Sequence, residues 1–413
     1  MNERRMGALL GYALLVVSAG VAFFFTPFLI GQLGKVQYGL YAIVGSLAAY
    51  FMLLDLGLND TVVRYIVRYR READEAGLAN FMAIMLGVYA CIALALAAIG
   101  AGVYAALPQI FGAAMSPAEV DLLRQMFLIV LAGGALTIAL NPFSGVLVAH
   151  ERFVLVRGLD ILLQLLSAAA AVAVLLAGFE AVGLVLATTV AALAAVLFKT
   201  AYALVRLGVK VRFTGIPPGL MREVAAYAAP IFVVVVVELI YWRLDNIIIG
   251  SMLGAAAVAV YAVAISFQKH FQRLAGAITR VMYPSIVHAI EGGISDADLT
   301  QLMVRISRAQ AVVLLPVLVG MVVFGREFLN LWLGADFEAA YPIMLITMLP
   351  YALELIGSGR NMVLQVKGLY WIRAGMTRAL SLLNVAVTVA LIPYLGILGA
   401  AIGTGLGAAL GAA

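Results

Sequence analysis

Charge is what this sequence has least of. Of its 413 residues, 11% are Asp, Glu, Lys or Arg and 65% are hydrophobic, and the mean hydropathy is +1.10. Soluble domains carry about 25% charged residues, so too little polar surface exists here to cover a water-facing body. A disordered chain is excluded by the same numbers. A single cysteine, Cys91, excludes a disulfide-stapled scaffold and, lying in an apolar run, reads as a packing residue. The three histidines, His150, His270 and His288, are isolated and lack metal-ligand spacing. No G-x-x-x-x-G-K loop is present to cradle a nucleotide. Ser, His and acidic residues are too scattered to set up a nucleophile, so no cofactor and no catalytic residue is assigned. The net charge of +5 would suggest a nucleic-acid partner in a soluble protein. In an apolar chain the positions of the cations matter more than their sum, and no nucleic acid is expected.

What is present is a series of twelve apolar segments: 7–30, 36–59, 77–107, 122–147, 153–178, 181–206, 224–250, 254–287, 303–333, 340–366, 373–394 and 397–413. A membrane-crossing helix needs about 20 apolar residues, whereas barrel strands run about 10 residues and alternate. The spacing predicts an all-α polytopic membrane protein of about 12 spans. The first run is too long for a signal-peptide core and lacks a small-residue cleavage site, so it reads as a retained span. Pro27, Pro142, Pro230, Pro284, Pro316 and Pro350 fall inside segments, where neighbouring helices can satisfy the freed carbonyls. Forty glycines permit close helix approach.

With the N-terminus inside, the inner loops collect seventeen of the 26 Lys and Arg residues, among them Arg64, Arg68, Arg70 and Arg71, and the outer loops only Lys35, Arg124 and Arg326. That bias predicts a cytoplasmic N-terminus. No outer loop exceeds about 15 residues, which leaves no room for a catalytic domain outside the membrane. The basic link with Pro217-Pro218-Gly219 divides the chain into spans 1–6 (residues 1–206), a cytoplasmic linker (207–222) and spans 7–12 (223–413). A shift of 220 residues aligns Leu33-Gly34 with Leu253-Gly254, Tyr41-Ala42 with Tyr261-Ala262 and Ser46 with Ser266. Six helices separate the copies, so both halves have the same orientation and form a parallel repeat, a transporter plan.

The informative residues are charges inside apolar runs. Each costs about 2.5–3.5 kcal/mol near a helix centre on insertion scales. The seventh segment carries Glu238, Arg243 and Asp245, which must face protein or water. The eighth carries Lys269, Arg273 and Arg280; at about 100° per residue these lie on one stripe with Ala262 and Ser266. That stripe either lines a cavity or snorkels to inner headgroups. The tenth holds Glu354 and Arg360, and Asp55 closes the second. Glu238, Glu354 and Asp245 are candidate ion-coupling carboxylates, with buried structural pairing as the alternative. The cationic group Arg243, Lys269, Arg273, Arg280 and Arg360 outnumbers them, and a positive cavity of low dielectric concentrates anions.

Several stretches resemble Wzx-type polysaccharide-unit flippases of the multidrug/oligosaccharidyl-lipid/polysaccharide exporter superfamily. They are Pro27-Phe-Leu-Ile-Gly-Gln-Leu-Gly34, Tyr38-Gly-Leu-Tyr41, Asp55-Leu-Gly-Leu, Arg64-Tyr, Asp245-Asn-Ile-Ile-Ile-Gly250 with Tyr261, and Arg280-Val-Met-Tyr-Pro284. The resemblance implies two six-helix lobes forming a V, of the type shared by MATE transporters and MurJ, in a bacterial inner membrane. It implies a flippase that moves an undecaprenyl-pyrophosphate-linked O-antigen or exopolysaccharide unit to the outer leaflet by alternating access. It further implies coupling to H+ or Na+, lumen cations at Arg243, Lys269, Arg273 and Arg360, and glycan polymerase and chain-length proteins as partners. Relatives usually continue past a twelfth span, which implies further chain after Ala413. A drug exporter of the same superfamily would favour an acid in the first span, and 7–30 has none. A membrane-embedded polymerase or ligase would need long outer loops.

Overall fold

The computed structural model describes residues 3–51, 58–366 and 370–412. Asp55 lies outside the described residues, as do the side chains of Glu238, Arg243 and Arg280. Among the described residues the chain is helical, with turns and short links and no strand. Among the described residues, six helical stretches are long and apolar enough to cross a membrane: Val16–Phe51, Glu75–Phe111, Pro117–Leu140, Phe153–Leu176, Ala181–Arg206 and Asp296–Leu333. Shorter apolar helices include Ala340–Ile356, Ala379–Leu395 and Ile397–Gly411. The all-α membrane fold expected from hydropathy is therefore the observed one.

The chain divides into two compact units, Met1–Val236 and Val237–Ala413. In the first, α1 (Glu3–Phe51) merges two apolar segments across a kink at Gly34, whose φ of 70° and ψ of 174° are non-helical. The same break, φ 83° and ψ 176° at Gly254, separates α8 (Leu220–Leu253) from α9 (Ala255–Glu291). Both positions sit in left-handed backbone that side chains with a Cβ rarely adopt. The repeat read from Leu33-Gly34 and Leu253-Gly254 is thus written in the backbone as well.

Three apolar segments contain two helices each. Segment 36–59 ends α1 and begins α2 (Leu58–Arg71), an amphipathic helix that buries Leu58, Val62, Tyr65 and Ile66 and exposes Arg64 and Arg68. Segment 122–147 becomes α4 (Pro117–Leu140) and α5 (Pro142–Ala149), because Pro142 takes the first helical position, where its missing N–H costs nothing. Segment 340–366 becomes α11 (Ala340–Ile356) and α12 (Gly359–Val366), broken at Gly357-Ser358. Gln310 on α10 (Asp296–Leu333) braces that break: its buried amide hydrogen-bonds the Ser358 hydroxyl at 2.8 Å and the Thr279 hydroxyl of α9 at 3.1 Å.

Neighbour relations repeat between the units. In the first, α4 packs against α3 (Glu75–Phe111), α1 and α7 (Ala181–Ala201), and α6 (Phe153–Leu176) packs against α7. In the second, α11 packs against α10, α9 and α14 (Ile397–Ala412), and α13 (Tyr370–Leu395) against α14. Helix starts follow ordinary capping chemistry. At α4, Ser116 and Glu119 form a reciprocal box, with Ser116 N–H donating to Glu119 Oε2 at 2.7 Å and Glu119 N–H to Ser116 Oγ at 3.3 Å.

The basic linker is held by the first unit. Asn80, 7% exposed at the start of α3, donates from Nδ2 to the Gly215 carbonyl at 2.7 Å and accepts the Thr214 N–H at 2.8 Å. Beside it Arg212 N–H donates to the Ala79 carbonyl at 3.0 Å. Asn80→Ala removes two of these bonds, on the order of 2 kcal/mol. It is expected to raise linker opening about 30-fold, read as faster tryptic cleavage after Lys210 and Arg212 with unchanged cleavage elsewhere. Equal cleavage rates would show that the linker does not depend on Asn80.

Candidate functional site

The densest buried polar cluster that can be described lies in the second unit, around Asp245. The Asp245 side chain sits near the end of α8 and is 6% exposed. A charge cannot remain there without donors, and three other helix positions supply them. Tyr261 of α9 donates from its hydroxyl to Asp245 Oδ2 at 2.6 Å, and Thr404 of α14 donates to the same oxygen at 2.8 Å. The two hydroxyls are 2.9 Å apart. Asn384 of α13 also hydrogen-bonds the carboxyl and in turn accepts the Thr388 hydroxyl at 3.0 Å. Four helices therefore converge on one carboxylate.

Local sequence explains how they reach it. Tyr261 lies on the second turn of α9, just after the Gly254 break that turns the chain back. Thr404 sits in a Gly/Ala-rich helix that can approach its neighbours closely. A Cβ placed on Gly403 would come 2.4 Å from Thr388 Oγ1 and 3.0 Å from the Asn384 carbonyl oxygen, and one on Gly405 would come 2.5 Å from the Ile346 carbonyl oxygen of α11. Small residues at the contact let polar side chains bond across the seam.

Beside the carboxylate is a small cavity lined by Asp245, Asn246, Tyr261, Gln268, Lys269 and Thr404, among others. Its volume of about 10 Å³ is room for roughly one water-sized particle. Gln268 is fully buried, and neither its Oε1 nor its Nε2 has a hydrogen-bond partner. Native proteins rarely leave such groups unmatched, so the cavity offers unused donors and acceptors to whatever occupies it. Oxygen atoms of a carboxylate, two hydroxyls and an amide form the ligand chemistry of a hard cation and equally a set of proton acceptors and donors.

Of the predicted stripe on α9, the side chains of Lys269 and Arg273 can be described. Lys269 is half-buried and reaches the cavity, Arg273 is exposed, and Ala262 and Ser266, nearer the start of the helix, are half-buried. Arg360 and Glu354 both approach Gly411 of α14 elsewhere in the same unit. Arg360 Nη2 donates to the Gly411 carbonyl at 2.7 Å, and a Cβ on Gly411 would lie 3.3 Å from the Glu354 carboxyl carbon. A guanidinium on the last turn of α14 matches the negative end of the helix dipole. Tyr41, the repeat counterpart of Tyr261, is half-buried in the first unit with its ring 6.5 Å from that of Tyr38. Asp245 and Tyr261 were both singled out from sequence, one as an ion-coupling candidate and the other as a motif residue; the structure joins them. Gln268, Asn384, Thr388 and Thr404 were missed. Their signal was available: uncharged polar residues inside apolar helices, where each needs a partner.

Comparison with known proteins now has a geometry to meet. Residues 8–289 match the polysaccharide biosynthesis protein family. No curated protein matches the chain. Among solved structures, the lipid II flippase MurJ in an inward closed conformation superposes with a TM-score of 0.73 at 14% identity, covering 98% of this chain and 85% of that one. An inward-facing multidrug resistance MATE family transporter of the MOP superfamily gives a TM-score of 0.69 at 17% identity, covering 96% and 95%. A MOP superfamily transporter from Pyrococcus furiosus gives 0.61 at 15% identity, covering 98% and 90%. Identities this low speak for the fold. With the family match spanning most of the chain and the repeat, the Gly34 and Gly254 breaks and the helix neighbours agreeing, the chain belongs to the polysaccharide biosynthesis protein family and has the multi-pass helical fold shared by MATE transporters and MurJ.

Proposed function

We propose that the protein is a flippase for a lipid-linked oligosaccharide, an undecaprenyl-pyrophosphate-linked O-antigen or exopolysaccharide unit, moved from the cytoplasmic to the outer leaflet of a bacterial inner membrane. Membership in a polysaccharide biosynthesis family supports the substrate class. The observation that carries the mechanism is Lys269, which lies at the cavity containing the buried Asp245 carboxylate. A cation beside a titratable or metal-binding carboxylate is a way to link anion recognition to ion binding, because each changes the local charge felt by the other. Lys269 and Arg273 would attract the diphosphate, with Arg243, Arg280 and Arg360 as further candidates. Asp245, with its donors Tyr261, Thr404 and Asn384, would exchange H+ or Na+; Glu238 and Glu354 are the other coupling candidates. Inner loops rich in Arg64, Arg68, Arg70 and Arg71 support a cytoplasmic N-terminus. Glycan polymerase and chain-length proteins would be its partners in the membrane.

Reconstituted vesicles carrying a fluorescent lipid-linked sugar test this directly. Wild-type protein is expected to carry label from the inner leaflet to the outer, where a membrane-impermeant quencher reaches it. Lys269→Ala and Arg273→Ala are each expected to lower the initial rate at least tenfold with unchanged protein incorporation. Wild-type rates in both variants would remove the anion-binding assignment, and transport of drugs in place of lipid-linked sugar would make the protein an exporter of another substrate.

A further inference from the structure

The two units carry the same small piece of architecture with opposite chemistry. In the second unit the Asp245 cavity is lined by Tyr261, Ile265, Gln268 and Lys269 of α9 and Thr404 of α14. In the first unit a cavity of about 350 Å³ opens between the second half of α1, α4 and α7. Its lining includes Tyr41, Gly45 and Ala48, the counterparts of Tyr261, Ile265 and Gln268 at a shift of 220 residues, and Thr188 of α7. The counterpart of Lys269 is Ala49, and that of Asp245, at the shift of 219 that pairs Ile30-Gly31 with Ile249-Gly250, is Thr26. Neither charge of the second cavity has a charged counterpart in the first, and the space is far larger.

The lining explains what could fill it. No acidic or basic side chain borders it. The Thr188 hydroxyl is spent on the Leu184 and Val185 carbonyls, both at 3.0 Å. Thr189 turns its methyl toward Gly133, where a Cβ would come within 2.1 Å of Cγ2. Tyr41 and Thr137 are the other polar side chains of a lining otherwise built from apolar residues and glycine; water needs two to four polar partners each to be held in a cavity, too many for these few groups to fill a space of this size with water or sugar. An empty space would forfeit dispersion contacts all around its wall. The volume falls within the range of ligand sites, about 300–1,000 Å³. Gly45 sets part of that volume, since nothing lies within 4 Å of where its Cβ would be.

We infer that this cavity of the first unit binds a segment of the polyprenyl chain of the lipid-linked substrate. The inference rests on the flippase reading for the source of the chain; the apolar character of the site stands apart from it. In this arrangement the first unit recognises hydrocarbon and the second recognises charge. A protein that moves a lipid-linked anion must handle both ends of its cargo. Hydrophobic burial supplies no preference for the cavity over the bilayer, because lipid tails are as apolar as the lining. Selectivity for a methyl-branched chain would come from fit against Gly45, Ala48 and the Gly133-Gly134 pair.

The test uses the full chain in vesicles with two photoactivatable probes, a polyprenyl phosphate with a diazirine on its chain and a phospholipid with a diazirine on an acyl chain. The polyprenyl probe is expected to label peptides containing 41–51, 130–138 or 185–192, and Gly45→Phe to reduce that labelling at least tenfold. Gly87→Ala, on α3 outside the lining and with nothing within 4 Å of its Cβ position, is expected to leave it unchanged. Should Gly45→Phe fail to fold, Ala48→Leu fills the same space with a smaller side chain. Labelling that persists in the filled variants, or that maps outside these peptides, overturns the inference. Equal labelling by the phospholipid probe also overturns it, assigning the cavity to bulk lipid. Translocation of lipid-linked sugar by the wild type is measured separately. A protein that labels here but does not translocate would refute the flippase reading and leave the site standing; one that translocates without labelling here would do the reverse.

Discussion

Asp245→Asn is expected to yield a folded protein whose transport no longer responds to an ion gradient. The amide keeps an acceptor oxygen for Tyr261 and Thr404, so the four-helix junction around it survives. It carries no charge, so it neither exchanges a proton nor neutralises a sodium ion. Asp245→Ala goes further. It removes the buried acceptor that the Tyr261 and Thr404 hydroxyls and Asn384 share, and each hydrogen bond lost to a charged group costs about 1.5–3 kcal/mol. We expect the alanine variant to lose transport and to unfold at least roughly 5 °C earlier, since about 1 kcal/mol corresponds to 2–4 °C in chains of 150–250 residues. The measurement is initial flip rate against imposed pH and sodium gradients, alongside thermal unfolding in detergent. An asparagine variant that keeps the wild-type ion dependence would make Asp245 a structural residue only.

Gly403→Leu is expected to be the most damaging single change to the second unit. Its first new atom would lie 2.4 Å from Thr388 Oγ1 and 3.0 Å from the Asn384 backbone oxygen. Neither neighbour is the end of a flexible chain, so α13 and α14 must separate. Overpacking of this kind costs about 1–3 kcal/mol for modest insertions, and separation would also pull Thr404 and Asn384 away from Asp245. The expected result is loss of folded protein or an unfolding temperature lowered by roughly 10 °C, with transport abolished. Gly87→Ala is the matching control. Nothing lies within 4 Å of its Cβ position, and replacing glycine by alanine in a helix favours the helix by about 1 kcal/mol. An unchanged unfolding temperature in Gly403→Leu would mean that the close approach of α13 and α14 is not what holds the site together.

The damage from Gly403 and the role of Asp245 were unequally visible in the amino-acid order. Asp245 stood out because a carboxylate within an apolar run has an energetic cost that hydropathy alone exposes. Gly403 did not, since one glycine among forty carries no mark of the atom it faces. The partition of segments was legible except where a continuous apolar run hides a break. Asn141-Pro142 and Gly357-Ser358 leave hydropathy intact while ending a helix.

By itself the sequence determined the class of protein, the helical spans and the doubling of the chain. Low charge, runs of about 20 apolar residues and a 220-residue echo at Gly34 and Gly254 are local or periodic properties, readable without knowing what touches what. The tertiary structure alone decided which polar groups meet. Tyr261 reaches Asp245 from 16 residues away and Thr404 from 159. Which side of a helix faces its neighbour depends on the packing of small residues along the whole seam, and no window of the sequence contains both sides of that contact.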